Sequence, residues 1–260
     1  MSTSEPGQPA VAPDSSPPDT WSRDLPVPAS ALAIGAHPDD VEFGAGGTLA
    51  KWAAAGCEVH HLVCTDGSKG TWDVTADLSE LIRRRQDEQR AASRELAGDR
   101  AGTVRFLGVT DGELECDLTS RSAVARIIRE VRPEVVLGHD PWKRYRLHPD
   151  HRAAGFLTID GVVAARDPHF FPEHELDHHR PRAILLWEAD VVNHIEDVTA
   201  TVPVKLAALH AHESQFESTM KAGGHDDLAE FDDRITRRLA TLGAPHDLVA
   251  AEVFHLIDDV

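Results

Sequence analysis

The feature that most narrows what this chain can fold into is the alternation of short apolar runs with longer amphipathic segments. Residues 31–36 (ALAIGA) are apolar throughout, the pattern of a strand buried on both faces of its sheet. A polar turn follows at 37–43. Residues 44–55 (GAGGTLAKWAAA) read as a helix closed by Gly56, and 58–65 (EVHHLVCT) as the next strand, which together make a βαβ unit. Residues 66–78 have no apolar period and read as a loop above the strand ends. The alternation then continues with a helix at 79–96, a strand at 103–107, a helix near 121–131 and a strand at 134–138. A helix at 149–166, a strand at 183–187 and a helix at 202–211 follow, the last with Leu206 and Leu209 on one face. Helices after Asp227 and a strand near 253–257 complete the series. This order predicts an α/β fold with a mainly parallel sheet flanked by helices on both sides. Residues 1–30, rich in Pro and Ser, read as a flexible tail, and 31–260 as one domain.

Composition removes several function classes. Asp plus Glu outnumber Lys plus Arg by 44 to 26, a formal charge of −18 that repels phosphate backbones and anionic lipid. Neither nucleic-acid binding nor membrane insertion is expected, and a homo-oligomer is left open. Three cysteines without CxxC spacing give no disulfide framework and no thiolate zinc site, which suits a reducing cytoplasm. No apolar run has the length of a membrane span, and the first residues lack the pattern of a signal peptide. Sixteen histidines in so acidic a chain need another explanation.

Their positions supply one. Ligands of open parallel sheets sit outside the carboxyl ends of the strands. His37-Pro38-Asp39-Asp40 stands directly after the first predicted strand, one imidazole and two carboxylates on a turn stiffened by proline. Such nitrogen and oxygen donors suit a first-row divalent metal. Of two adjacent carboxylates, one can ligate while the other takes a proton from water. A second cluster, His148-Pro149-Asp150-His151, enters a helix after the strand at 134–138, on the same sheet edge. With His151 as a further ligand, the set is two His and one Asp with open positions, a catalytic arrangement. His148 is then free to polarise a carbonyl or protonate a leaving nitrogen, with Asp150 beside it to hold it charged. Either cluster alone also fits a capped turn or an exposed helix start.

Other signals are weaker. Gly44, Gly46 and Gly47 do not form a dinucleotide fingerprint, because seven residues with three acids separate them from the strand. His169, His174, His178 and His179 lie among Pro, Glu and Asp and read as a solvated loop or lid. Cys64 reads as a small buried residue, and His194 and His212 as structural histidines.

At the two clusters the sequence resembles the LmbE/PIG-L family of metal-dependent N-deacetylases. Residues 36–40 (AHPDD) with 44–50 (GAGGTLA) look like the first family motif, and 148–151 (HPDH) like the second. Thr65-Asp66-Gly67, Arg85 with Glu88, Leu107-Gly108 before Asp111-Gly112, and 205–216 (KLAALHAHESQF) match lesser features in order. The resemblance implies a Rossmann-like three-layer fold. It implies His37, Asp40 and His151 as ligands of Zn²⁺, with Fe²⁺ or Co²⁺ also accepted by such donors. It further implies Asp39 as general base, His148 as electrophilic and proton-donating histidine tuned by Asp150, and Arg85 and Asp111 as substrate-binding residues. The implied activity removes an acetyl group from a small-molecule N-acetylated amino sugar or glycoside. A mycothiol-type conjugate amidase and a non-catalytic metal- or sugar-binding protein are the alternatives. The chain departs from the family pattern at Val41, where the acid is displaced to Glu42, and at Arg146, where some relatives have Tyr. Tyr145, one position back, is assigned no role.

Overall fold

Residues 30–35 form a strand whose side chains leave alternately for two separate cores. Ala31 and Ala33 enter one with Val41, Ala45 and Leu49, and Leu32 and Ile34 enter the other with Val124, Ile128 and Leu157. That is the two-sided burial expected of an apolar strand in a parallel sheet. The computed structural model describes residues 21–224 and 227–260. Among them one eight-stranded sheet is formed by β1 (Ser22–Arg23), β2 (Ser30–Gly35), β3 (Glu58–Thr65), β4 (Ala101–Val109), β5 (Val135–His139), β6 (Ala183–Trp187), β7 (His194–Asp197) and β8 (Ala251–Ile257). The helices are α1 (Asp40–Ala54), α2 (Leu78–Ala97), α3 (Leu118–Val131), α4 (Pro149–Arg166), α5 (Val202–His210) and α6 (Leu228–Gly243).

The strand order is β1-β7-β8-β6-β5-β2-β3-β4. Strands β4, β3, β2, β5 and β6 are parallel neighbours, while β8 runs antiparallel to both β6 and β7. The chain moves outward from β2 through β3 to β4, then returns to the other side of β2 as β5. The gap between the carboxyl ends of β2 and β5 is therefore a topological switch point, where such sheets bind ligands. The α/β, Rossmann-like three-layer reading holds.

Several local differences have physical causes. Helix α1 begins at Asp40, four residues before the expected start at Gly44, because Asp40 and Glu42 in the first turn suit the positive end of the helix dipole. The glycines inside it admit neighbours. A Cβ on Gly44 would stand 2.5 Å from the Trp187 ring, and one on Gly47 2.8 Å from Val198. Strand β7 was not expected, nor was β1. Residues 22–30, read as part of the tail, are docked: Ser22 and Arg23 pair with His194 and Ile195, and the Leu25 amide donates to Glu196 at 2.9 Å. Residues 1–20 of that stretch lie outside the described residues. His174, read as part of a solvated loop, is buried and hydrogen-bonds Ser122 at 2.8 Å, with Arg129 on its other ring nitrogen. Among the described residues no helix is long and apolar enough to cross a membrane.

A buried ion pair ties α1 to α5 and β8. Lys205 Nζ donates to Glu252 at 2.6 Å and to the Phe43 carbonyl at 2.8 Å, while Glu252 accepts from the Gly47 and Thr48 amides and the Thr48 hydroxyl. Removing one partner strands the other charge out of water. Lys205→Met is expected to cost about 3–5 kcal/mol in urea unfolding, with part restored by adding Glu252→Gln; an undiminished midpoint would show that the pair carries no stability.

Candidate metal centre at the switch point

Two loops bring the sequence clusters together. His37 leaves β2, Asp40 opens α1, and His151 lies in the first turn of α4 after β5. His37 Nδ1 is 3.2 Å from His151 Nε2 and 3.3 Å from Asp40 Oδ2, and His151 Nε2 is 3.3 Å from Asp40 Oδ1. Asp40 faces the two imidazoles with different oxygens, and zinc–ligand bonds of about 2.0–2.1 Å give a tetrahedral edge of roughly 3.3–3.4 Å, so the three residues are spaced to share one small divalent cation, while Asp40, His139 and His151 form a second such grouping beside them.

The surrounding groups orient these donors. His37 Nε2 faces Asp150 Oδ2 at 3.1 Å and Asp111 Oδ1 at 3.3 Å. Carboxylates only accept, so Nε2 keeps its proton toward Asp150 and Asp111; without a metal Nδ1–H faces Asp40, and a cation bound at Nδ1 would take the place of that proton. Burial opposes charge on His37, yet its hydrogen bonds to Asp111, Asp150 and Asp40 push it up to about 12. Three carboxylates gathered round one imidazole make a place for positive charge. Asp40 is likewise held well below the usual carboxylate range, with His151 and His139 outweighing its burial.

His139 was passed over in the sequence as the residue ending a strand. Its Nε2 lies 3.2 Å from Asp40 Oδ2, and its Nδ1 accepts from the Trp187 indole at 3.0 Å. Because indole N–H only donates, Nδ1 is the acceptor there and Nε2 is the atom left to face Asp40, with the Ala36 amide 3.4 Å from it. With the His37 amide on the same Oδ2 at 2.7 Å, the carboxylate is fixed from two sides. A lone histidine at a strand end has no spacing signature; its place at the end of β5, beside β2, was the available sign.

The remaining candidates divide. His37, Asp39, Asp40, Arg85, Asp111, His148 and His151 all line one cavity of about 540 Å³. Asp39 is buried but donates no atom to the donor triangle, and burial lifts its carboxyl to about 6 against the pull of Arg85. Arg85 is the inward member of the Arg83-Arg84-Arg85 run and binds the carbonyls of Gly67 and Pro38 at 2.8 and 2.7 Å. Asp150 is not in the cavity. Its side chain hydrogen-bonds His37, Gly112 and Leu114, its backbone amide reaches His148 Nδ1 at 3.3 Å, and its charge pulls the proton affinity of the His148 ring upward, the direction expected of a tuning carboxylate. Burial and the neighbouring His37 pull His148 below its ordinary value against the upward pull of Asp150, Asp111 and Asp40, and with Nδ1 accepting the Asp150 amide its Nε2 is the atom placed to donate. Arg146 Nη1 lies 3.0 Å from His151 Nδ1 and pairs with Glu188; because guanidinium only donates, the metal-free ring keeps its proton on Nε2, and a cation at Nε2 would require Arg146 to leave Nδ1. His194 is a structural residue between Ser22 and Glu196, and Tyr145 projects into solvent.

Fold and site together define a Rossmann-like α/β protein with a two-histidine, one-carboxylate cluster at the switch point of its sheet. The family model described as GlcNAc-PI de-N-acetylase matches residues 32–162. A diacetylchitobiose deacetylase of Thermococcus kodakarensis is 39% identical over 188 residues, covering 71% of this chain and 69% of that one. The chain belongs to the PIG-L family. A 1D-myo-inositol 2-acetamido-2-deoxy-alpha-D-glucopyranoside deacetylase of Streptomyces avermitilis is 32% identical over 177 residues, 58% of each chain. Among solved structures, N,N'-diacetylchitobiose deacetylase from Pyrococcus horikoshii superimposes with a TM-score of 0.80 at 29% identity, over 89% of this chain and 84% of that one.

If His139 orients Asp40, His139→Phe should weaken divalent-metal affinity about 10–100-fold in chelator competition, the usual effect of losing such a partner. Unchanged affinity would remove His139 from the account.

Proposed function

We propose that this protein is a metal-dependent N-deacetylase that converts an N-acetylated amino sugar or glycoside to the free amine and acetate. The observation that carries the reading is the donor triangle of His37, Asp40 and His151, with the non-ligating carboxylate of Asp39 beside it on the same cavity wall. The relatives named above are deacetylases of such compounds. Two imidazoles and one carboxylate favour Zn²⁺, and the same set accepts Fe²⁺ or Co²⁺. When bound, the cation supplies Lewis acidity toward the acetamido carbonyl and acidifies water.

The chain's own groups perform the proton work. Asp39 takes a proton from the attacking water as the new C–O bond forms at the acetyl carbon. His148 donates its Nε2–H to the developing oxyanion, a role open to a neutral imidazole. Asp150 and Asp111 keep His37 in the tautomer that offers Nδ1. On C–N cleavage the amine takes the proton held by Asp39. Lys69, Gln215, Thr219 and Arg238 line the cavity away from the donor triangle and offer polar contacts to a sugar. Phe43 and Trp187 supply an apolar wall.

Asp39→Asn should retain wild-type metal content by mass spectrometry and lower kcat by about 10²–10⁴ on an N-acetylglucosamine conjugate. Undiminished turnover with full metal would refute the base assignment. The base must be ionised, so kcat falls as pH drops through its pKa. Burial sets that value at about 6 and a nearby cation can only lower it. An acid limb at or below pH of about 6 is expected in the kcat profile; a limb above neutrality would identify a different group.

A further inference from the structure

Asp39 adopts φ 103° and ψ −24°, a sparsely populated conformation for a residue with a Cβ. Something must hold it there. The peptide group between Pro38 and Asp39 is gripped at both ends by one helix: Arg85 Nη2 donates to the Pro38 carbonyl at 2.7 Å, and Gln89 Oε1 accepts from the Asp39 amide at 3.0 Å. Arg85 and Gln89 are four residues apart on α2, so they share a face. Rotating this peptide to bring Asp39 into an ordinary conformation breaks both bonds.

Gln89 is itself held in one orientation. Its Nε2 donates to Glu42 Oε1 at 2.8 Å and lies 3.1 Å from His61 Nδ1, so only Oε1 can face the Asp39 amide. Glu42 Oε2 in turn meets His212 Nε2 at 3.2 Å. Gln89, Glu42, His61 and His212 are all 0% exposed, and no step described above uses them. His61 Nε2 and His212 Nδ1 find no partner among the described residues, so this buried network is held by the bonds that converge on Gln89 and Glu42, both of which have partners at each polar end.

We propose that Gln89, anchored by Glu42, is a positioning residue that clamps the Pro38–Asp39 peptide and thereby aims the Asp39 carboxylate at the substrate while keeping it off the metal. Its kinetic consequence rests on the deacetylase reading; its structural consequence does not.

The test uses full-length, metal-loaded protein. Gln89→Met keeps the volume and removes both hydrogen-bonding functions. Expected are a kcat lower by about 10- to 100-fold, KM within about twofold and unchanged metal content, because misplacing a reacting group costs rate more than binding. In an Asp39→Asn background the same change should add no further loss, since the two act as a unit. The crystal structure of Gln89→Met should show Asp39 out of its positive-φ conformation. Glu42→Gln, which preserves shape, should give a smaller kcat loss with the same dependence on Asp39, and decides the matter if Gln89→Met does not fold. Equal losses in both backgrounds, a rise in KM that accounts for the loss, or an Asp39 unmoved in the variant structure would each overturn the proposal. A wild type inactive on every N-acetylated sugar would overturn the function, and the crystallographic arm would still decide the clamp.

Discussion

The site depends on one long-range pairing. Strand β2 lies parallel to β5 with Ile34 opposite Gly138, and this register sets the ends of the two strands side by side. His37 follows one strand, His139 closes the other, and His151 arrives through the loop and helix after it. A slip of one residue would turn the small Ala31 and Ala33 toward the core that now receives Leu32 and Ile34. Core packing thus fixes the register, and the register brings imidazoles from sequence-distant segments within 3.2 Å.

Electrostatics completes what topology begins. Asp40, Asp111 and Asp150 are buried around His37, and no neutral arrangement of that pocket satisfies them. The loop after β4 is fastened into the same cluster by the Gly112 and Leu114 amides on Asp150. Behind Asp40 runs a second line of control, from Trp187 through His139, and Gly44 is the position on α1 that lets the Trp187 ring lie close enough to take part. Sheet, helix and loop each lend one constraint to the same few atoms.

What was legible in the sequence followed the kind of signal each part emits. β6 and α4 matched their expected bounds because an unbroken apolar run or a proline at the first helical turn marks them locally, and β3 did so because Gly56 and the Asp66-Gly67 turn bracket its β-branched and apolar residues. The start of α1 was read late since residues 40–43 carry acids and no apolar period, and it is dipole compensation that makes them helical. β7 (HIED) has three polar residues in four and owes its existence to pairing with β8, more than 50 residues away. The two histidine motifs were legible by type and spacing. Not legible was the direct hydrogen bond from Asp150 to His37, 113 residues back in the chain, which only the pairing of β2 with β5 brings about.

The sharpest demand falls on two consecutive residues. Asp39 and Asp40 have the same side chain, yet one is held far below the ordinary carboxylate range and the other is lifted to about 6. The left-handed backbone at Asp39 causes the split. It sends the first carboxylate away from the imidazoles, toward Arg85 at 3.5 Å, while the second, already helical, drops between His37, His139 and His151. Environment pushes the two pKa values apart, which is how a pair of identical groups acquires separate acid–base tasks. In the proposed reaction the kink at residue 39 therefore divides the pair: Asp40 has the imidazole neighbours of a ligand, and Asp39 keeps a proton affinity high enough to accept one.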